Sequence, residues 1–324
     1  MTKRSIFMAL AAATLASSPC RTLAQTKTPG FEVLRFVASG TNEFAFDTGV
    51  LRGKLRAEGK SKGLSAVVHV PTGLTLDRSM GLFGHYRVFS ANRRYGVGAW
   101  DWPSHASLQP DGSVQVRWPA VSDRPFELQA TYRWVAPNAL DVVTSVTATT
   151  NLARFESFLA SYFAPDFSNS LVYVRGPVDQ PGTPALMPAA PELGTWLASP
   201  RDEAAGQIIR DGRWQIQPNP VAWAMMPPLA QPLGVRRAPA AGLTALLMSP
   251  PNDCFAVCTP QQTEGHYSMY LSLFGRDLIS GETARARARL IIDSNLSDAQ
   301  IIQACQDYLP AVDSRRSILK EWNH

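Results

Sequence analysis

Strict alternation of apolar and polar residues is the feature that most constrains the fold of this 324-residue chain. In FELQATYRWV (126–135), every second residue from Phe126 to Trp134 is apolar. The same pattern recurs in SVQVRW (113–118), LDVVTSVTATT (140–150) and TARARARLII (283–292). A period of two residues indicates strands with one buried face, and turn residues between such strands are typical of antiparallel sheets. We therefore predict an all-β antiparallel fold.

Helical signals are confined to the C-terminal part of the chain. Ser297 and Gln300 have the spacing of a capping box, and apolar residues at helical spacing follow them. The interior of a helix disfavours proline, so this helix is expected to end at Pro310. We predict a short C-terminal helix that packs on the outside of the β domain.

The first 24 residues have the pattern of a secretory signal peptide. A basic start (Lys3, Arg4) precedes an apolar run at 6–16, and small residues precede a cleavage site after Ala24. The apolar run is shorter than the roughly 20 residues that span a bilayer. The expectation is a periplasmic or secreted protein, with no stable membrane insertion and a single β-sandwich domain at 25–324.

Charge and cysteine content exclude several classes of function. The leader contains three basic and no acidic residues, so its removal lowers the formal net charge from +5 to +2. With no Lys/Arg-rich run either, a nucleic-acid partner is not predicted. Cys254, Cys258 and Cys305 remain after cleavage, which permits one disulfide at most. No cofactor and no metal site are predicted, and the sequence leaves the oligomeric state open.

A proline-rich insertion at about 176–240 interrupts the strand pattern. It contains 12 of the chain's 25 prolines, and stretches this rich in proline are not expected to form central strands. Trp196, Trp214 and Trp223 indicate that it is ordered. Two interpretations stay open: an insertion packed on a sheet, or a wall over a binding cleft.

The stretch GHYRVFSANRRYGVGAWDWPSH (84–105) gathers aromatic and basic residues, five of its 22 residues being aromatic. Flat apolar rings beside hydrogen-bond donors suit a sugar ligand. We predict one wall of a carbohydrate cleft here; the alternative is a sheet end packed under the insertion. The candidate site residues in this stretch are His85, Arg87, Arg93, Arg94, Trp100, Trp102 and His105.

Strand geometry refines these candidates. Adjacent Arg93 and Arg94 would point in opposite directions in a strand, whereas Trp100 and Trp102 would share a face. Glu264 and His266 are two residues apart, so a strand would point both side chains the same way.

Short motifs resemble the galactose mutarotase (aldose 1-epimerase) superfamily. FESFLASYFAPDF (155–167) is similar to the family's Asn-His-Ser-Tyr-Phe-Asn strand through Ser161, Tyr162 and Phe163. LISGETARARARLII (278–292) is similar to its closing Leu-x-Pro-Gly-Glu strand, and GHYRVFSANRRYG loosely resembles its His-Gly-Phe-x-Arg region. The resemblance covers about residues 30–292 and implies a β-supersandwich.

The resemblance also implies site roles. The family's catalytic glutamate lies about 20 residues before the closing glycine, a register that matches Glu264. The family's acid histidine corresponds to Ala160, so His85 or His266 would have to supply the acid. Tyr162 of the family-like motif would bind the substrate. Independently of the resemblance, the enzyme hypothesis has one of Arg87, Arg93 or Arg94 bind a polar or anionic group.

Three functional hypotheses follow. The first is an exported carbohydrate-active enzyme, an epimerase or a polysaccharide lyase-like enzyme with a Glu base and a His acid. The second is a non-catalytic sugar-binding protein that lacks the acid. The third is a structural envelope domain whose aromatic residues are all core.

Overall fold

A computed structural model describes residues 34–59, 63–78, 80–91, 93–176 and 182–321. The predicted leader at 1–24 and its cleavage site lie outside the described residues. The described chain is built almost entirely of β-strands, which form three sheets.

The strands are numbered in chain order and divide among the three sheets. The five-stranded sheet contains β1 (Val37–Gly40), β2 (Glu43–Asp47), β3 (Leu51–Arg56), β4 (Gly63–His69) and β5 (Leu74–Thr75). The seven-stranded sheet contains β6 (Gly84–Ser90), β7 (Arg93–Arg94), β12 (Leu152–Tyr162), β15 (Trp196–Pro200), β16 (Ala224–Met225), β19 (Cys254–Pro260) and β20 (Ser268–Leu278). The nine-stranded sheet contains β8 (His105–Leu108), β9 (Val114–Trp118), β10 (Phe126–Ala136), β11 (Ala139–Ala148), β13 (Asn169–Val174), β14 (Ala185–Pro188), β17 (Leu229–Ala238), β18 (Leu243–Met248) and β21 (Thr283–Ser294). The two helices are α1 (Glu203–Ile209) and α2 (Asp298–Glu321).

Strand order is β16-β15-β19-β20-β12-β6-β7 in the seven-stranded sheet and β14-β13-β17-β18-β21-β11-β10-β9-β8 in the nine-stranded sheet. Neighbouring strands in these two sheets are antiparallel, except for the short parallel pair β15 and β16. The predicted all-β antiparallel sandwich with a C-terminal helix is confirmed.

The main core lies between the seven- and nine-stranded sheets. In β10 the predicted apolar face from Phe126 to Trp134 is buried, as is the Ala284–Leu290 face of β21. Residues of β12 and β20, such as Leu159 and Leu271, pack into the same core. The inner faces of two sheets therefore enclose one apolar layer, as in a β-sandwich.

Both sheets are also covered on their outer faces. Helix α1 and the segment around Trp196 and Trp214 pack on the outer face of the seven-stranded sheet. Helix α2 packs Ile301, Cys305 and Tyr308 against β17 and β18 of the nine-stranded sheet. The strands in the middle of the seven-stranded sheet are consequently buried on both sides.

Helix α2 begins as predicted but ends later. Ser297 Oγ accepts a hydrogen bond from the Gln300 amide at 3.4 Å, and Gln300 Oε1 accepts one from the Ser297 amide at 2.9 Å, which completes the capping box. The prediction that the helix ends at Pro310 is wrong, because the helix continues to Glu321. A proline removes one helical hydrogen bond but does not always end a helix.

The proline-rich insertion contributes a central strand, contrary to the prediction. Strand β17 contains Pro232 and lies between β13 and β18. Its pairing with β13 shifts register between Val172 and Val174, so the ladder is interrupted where the proline lies. The missing amide donor of Pro232 is tolerated at this discontinuity.

The three cysteines of the described chain form no disulfide. Cys254, Cys258 and Cys305 are all buried free thiols. Within the described part of the chain, no helix has the length and hydropathy needed to cross a bilayer.

Candidate functional site

A pocket of about 370 Å³ opens on the outer face of the seven-stranded sheet. This volume lies in the range of small-molecule sites, and most of the wall is aromatic, as is usual for such sites. Its lining residues are Tyr86, Arg87, Phe158, Tyr162, Trp196, Trp214, Asn219, Pro220, Val221, Trp223, His266 and Tyr270.

The floor of the pocket comes from β12 and β20. Phe158, Ala160 and Tyr162 are alternate residues of β12 and therefore point to the outer face. The Phe158 ring stacks on Tyr270 of β20 with centroids 4.5 Å apart. The Tyr270 hydroxyl accepts a hydrogen bond from Ser268 Oγ at 2.6 Å, and burial raises its pKa to about 12. Both floor tyrosines stay protonated at neutral pH, since burial also raises the pKa of Tyr162 well above its usual value.

The proline-rich insertion supplies the opposite wall. Trp214 meets Phe158 edge-on at 4.7 Å and Trp223 edge-on at 5.1 Å, and Trp196 meets Trp223 at 6.2 Å. Edge-to-face arrangements of this kind hold rings in defined orientations. The insertion is therefore both packed on the sheet and part of a pocket wall, which joins the two interpretations left open by the sequence.

A buried ion-pair network fixes the start of this wall. Arg213 is fully buried; it donates to Glu156 Oε2 at 3.0 Å and to Asp211 Oδ2 at 2.9 Å. Because Trp214 follows Arg213 in the chain, the network sets the position of the tryptophan at the pocket.

Arg87 of β6 lies in the pocket wall. Its guanidinium carbon is 5.1 Å from the ring centroids of both Tyr86 and Trp214, and its Nη2 donates to the Asn219 carbonyl at 2.8 Å. Its Nε and Nη1 are buried and have no hydrogen-bond partner within the described residues. The side chain is only 4% exposed, so this is a buried cation with unused donors.

His266 lies at the edge of the pocket, in the turn between β19 and β20. Its ring centroid is 5.3 Å from that of Trp196. His266 Nδ1 is 2.7 Å from Glu264 Oε1, and Glu264 Oε2 accepts the His266 amide at 2.9 Å. The two residues thus form a carboxylate–imidazole pair, with Nδ1 held by the carboxylate and the half-exposed ring at the pocket. Such a pair fixes the tautomer of a histidine.

The structure does not bring His85 to this pocket. His85 points into the core between the two large sheets, where Nδ1 is 3.0 Å from Ser157 Oγ and Nε2 is 3.2 Å from Thr144 Oγ1. It is fully buried, and burial lowers its pKa to about 3. The expectation that His85 supplies the acid is corrected, because a neutral core histidine has neither the proton nor the access.

Burial of His85 gives a testable dependence of stability on pH. Its pKa is about 3 in the folded chain, against an ordinary value of 6.5 that applies to the unfolded chain. Between these values the unfolded chain binds a proton that the folded chain excludes, so stability is full above pH 6.5 and falls as the pH drops. Between about pH 7.5 and 5, the wild type should lose about 2 kcal/mol of unfolding free energy through His85, and His85→Gln should not show this part of the loss. Urea unfolding at the two pH values measures the difference. His105→Gln, at an exposed position, is the control; an equal loss in His85→Gln and wild type would contradict the assignment.

The two tryptophans of the 84–105 stretch also differ from expectation. Residues Ala99–Asp101 form a short 3-10 helix rather than a strand, so Trp100 and Trp102 do not share a face. Trp100 stacks on Tyr86 at 3.9 Å behind the pocket wall, and Trp102 packs in the main core. Neither lines the pocket. These two candidate site residues are nearly buried and pack inside the protein.

The remaining basic candidates are not among the residues that line the pocket. Arg93 and Arg94 do point in opposite directions, but Arg93 is exposed and donates to the Asp123 carbonyl at 2.9 Å. Arg94 is buried, and all three of its guanidinium nitrogens donate to backbone carbonyls. His105 lies on β8, the edge strand of the nine-stranded sheet, and is exposed. These three residues are therefore corrected to positions outside the pocket lining.

Of the sequence candidates, Arg87, Tyr162 and His266 line the pocket, with Glu264 bonded to His266. The sequence alone did not point to Tyr86, Phe158 and Tyr270 as residues of this pocket. For the insertion a signal existed, since its tryptophans indicated order and a wall over a cleft was one of its two interpretations. Tyr270 had no local signal, because its place depends on the pairing of β20 with β12.

No protein-family model matches the chain, and no curated protein matches its sequence. In structure the chain is similar to a galactose mutarotase-like protein from Clostridium acetobutylicum, at 10% identity and a TM-score of 0.49, over 81% of this chain and 99% of that one. It is also similar to a galactose 1-epimerase from Lactobacillus acidophilus, at 13% identity and a TM-score of 0.44, over 81% and 99% of the two chains. A third similar structure is an α-N-acetylgalactosaminidase from Bifidobacterium bifidum, at 11% identity and a TM-score of 0.47, over 86% of this chain and 39% of that one.

Galactose mutarotase-like proteins are thus among the solved structures to which the chain is similar.

Proposed function

We propose that this chain is an exported carbohydrate-active protein that binds a sugar in the aromatic pocket and transfers a proton at it through His266. The observation that carries the proposal is the imidazole of His266 at the pocket, with Nδ1 2.7 Å from Glu264 Oε1. Export is proposed from the leader pattern at 1–24, and a mature N-terminus at Gln25 would test it by mass spectrometry.

The lining of the pocket supports a sugar as the ligand. Rings from β6, β12, β20 and the insertion present flat apolar surfaces, which suit the C–H faces of a pyranose. Polar groups of Tyr162, Asn219 and His266 lie among these rings and can bond hydroxyl groups. This combination of a few polar groups with apolar walls fixes the orientation of a small polar ligand.

The roles of Glu264 and His266 differ from those implied by the family resemblance. Both Glu264 oxygens are already hydrogen-bonded to His266, and Glu264 is not among the pocket-lining residues. We therefore assign His266 as the catalytic acid–base residue and Glu264 as its positioning residue. With Nδ1–H held by Glu264, neutral Nε2 accepts a proton from the sugar and returns it in a later step. Such a cycle serves either epimerisation or cleavage by proton abstraction.

One observation favours the second hypothesis, a non-catalytic sugar-binding protein. Ala160 stands where the resembling family has its acid histidine, and it lies on the pocket side of β12 between Phe158 and Tyr162. A pocket with only one histidine at its edge could bind a sugar without turning it over. Turnover by the wild type separates the two functions.

The test is ligand-observed NMR of residues 25–324 against neutral and acidic mono- and oligosaccharides, each mixture followed for hours. We expect at least one sugar to bind, and new or exchanging anomeric signals to appear if it is turned over. Trp223→Ala should weaken that binding about 10-fold, because it removes a ring of the pocket wall. Trp223→Phe, which keeps a ring, is the matched control and should lose less. Failure of every sugar to bind would contradict the proposal and leave the structural envelope domain.

A further inference from the structure

The buried Arg87 indicates the chemical class of the ligand. Arg87 and Arg94 are both buried arginines, on neighbouring strands of the same sheet, but they differ in how their donors are used. Arg94 Nε donates to the Gly96 carbonyl at 3.1 Å and Nη2 to the Val97 carbonyl at 2.7 Å, while Nη1 donates to the Ile216 and Pro218 carbonyls. Arg94 is therefore a satisfied structural clamp on the 216–218 loop.

Arg87 is not satisfied in this way. Among the described residues only its Nη2 has a hydrogen-bond partner, the Asn219 carbonyl at 2.8 Å, while its Nε and Nη1 are buried without one. Leaving buried donors of a charged group unpaired is costly, and the cost is larger than for a neutral group. Holding the loop would need only the one bond that Arg87 already makes.

The charge of Arg87 is also uncompensated. Neither Arg87 nor Arg94 forms an ion pair with a carboxylate of the described residues. No Asp or Glu is among the described residues that line the pocket. Burial, together with the neighbouring charge of Arg87, lowers the pKa of Arg94, which places two like charges close together. Contacts with the Tyr86 and Trp214 rings offset part of this cost but supply no hydrogen-bond acceptor.

We propose that the pocket takes a sugar that bears a carboxylate group, and that Arg87 receives this group. The inference rests on the proposed sugar site and narrows its substrate class to uronic acids and related acidic sugars. A carboxylate supplies both the negative charge and the acceptor oxygens that the pocket lacks. His266 lies in the same pocket, so the acid group and the acid–base residue act on one bound sugar.

The experiment compares matched pairs of ligands by isothermal titration calorimetry. The probes are the methyl glycosides of glucose and galactose and the methyl glycosides of glucuronic and galacturonic acid, which differ from the first two only at C6. In the wild type we expect at least one acid to bind about 10- to 100-fold more tightly than its neutral partner. Arg87→Gln should abolish this preference, so that the acid binds no more tightly than its neutral partner.

Two control variants separate the effect of losing the binding group from the effects of changed net charge and of misfolding. Arg93→Gln removes the same charge from an exposed arginine outside the pocket and should keep the full preference. Arg87→Lys keeps the charge with a different donor geometry and should keep part of the preference. It takes the place of Arg87→Gln as the test if Arg87→Gln fails to fold. A wild type that binds the neutral sugars as tightly as the acids would overturn this inference while leaving the sugar site intact. Absence of binding by all four probes would overturn it together with the proposed function.

Discussion

Replacing His266 with glutamine should lower the turnover of a bound sugar by about 10²- to 10⁴-fold, while the dissociation constant changes by only a few-fold. The range is that of a lost general acid–base group. His266 is half-exposed at the pocket edge, where its ring meets Tyr162 and Trp196 and its Nδ1 pairs with Glu264, so its replacement should leave the fold intact. Anomeric signals followed by NMR under saturating sugar give the rate, and a titration gives the affinity.

Glu264→Gln tests the positioning role in the same assay. Glutamine keeps the size and one acceptor of Glu264 but removes the negative charge 2.7 Å from His266 Nδ1. The imidazole then loses its charged partner, so we expect kcat to fall with KM unchanged, and to fall less than in His266→Gln. An unchanged kcat in Glu264→Gln would contradict the positioning role. Full turnover in His266→Gln would contradict the assignment of the pair.

Replacing Arg213 with methionine should destabilise the fold by about 3–5 kcal/mol. Arg213 is fully buried and bonded to Glu156, which is also fully buried, at 3.0 Å, so its removal leaves an uncompensated charge under the pocket. The double variant Glu156→Leu/Arg213→Met should recover part of the loss, because the fully buried Glu156 carboxylate is then removed together with its partner, while Asp211 keeps Arg154 at 3.7 Å. Urea unfolding of the wild type, the two single variants and the double variant gives the coupling free energy between Glu156 and Arg213.

The control for this series is Arg210→Met, three residues earlier in the chain. Arg210 pairs with Glu203 at 2.8 Å, but both side chains are exposed. An exposed pair contributes at most about 1 kcal/mol, so this variant should be nearly as stable as the wild type. Equal effects of Arg210→Met and Arg213→Met would show that the buried network contributes no more than a surface pair.

The parts of the fold that could be predicted are those where one face of a strand meets solvent. In β10 and β21 apolar residues face the core and polar residues face solvent, so apolar and polar residues alternate along the sequence. Strands β12, β19 and β20 do not alternate, since the core covers one face and the insertion or its neighbours cover the other. Periodicity cannot identify such strands, and β12 was recognised only through its family-like motif.

The site was predictable where the ligand-facing residues are close in sequence. Glu264 and His266 are two residues apart, and their proximity could be expected even though a turn, not a strand, holds them. Arg87 could not be distinguished from Arg93 and Arg94 by composition, because the difference lies in which backbone carbonyls the fold brings to each guanidinium. His85 looked like a site residue for the same reason, since nothing local showed that it faces Ser157 and Thr144.

The most direct measurement is the NMR signal of the His266 Cε1–H group during titration with a sugar found to bind. The chain has five histidines, and comparison with His266→Gln assigns the signal. If the sugar occupies the aromatic pocket beside His266, this signal shifts in step with saturation. The signal of His105, which lies on the edge strand of the nine-stranded sheet, should stay in place. A sugar that saturates the protein without moving the His266 signal would bind elsewhere, and the proposed site would be wrong.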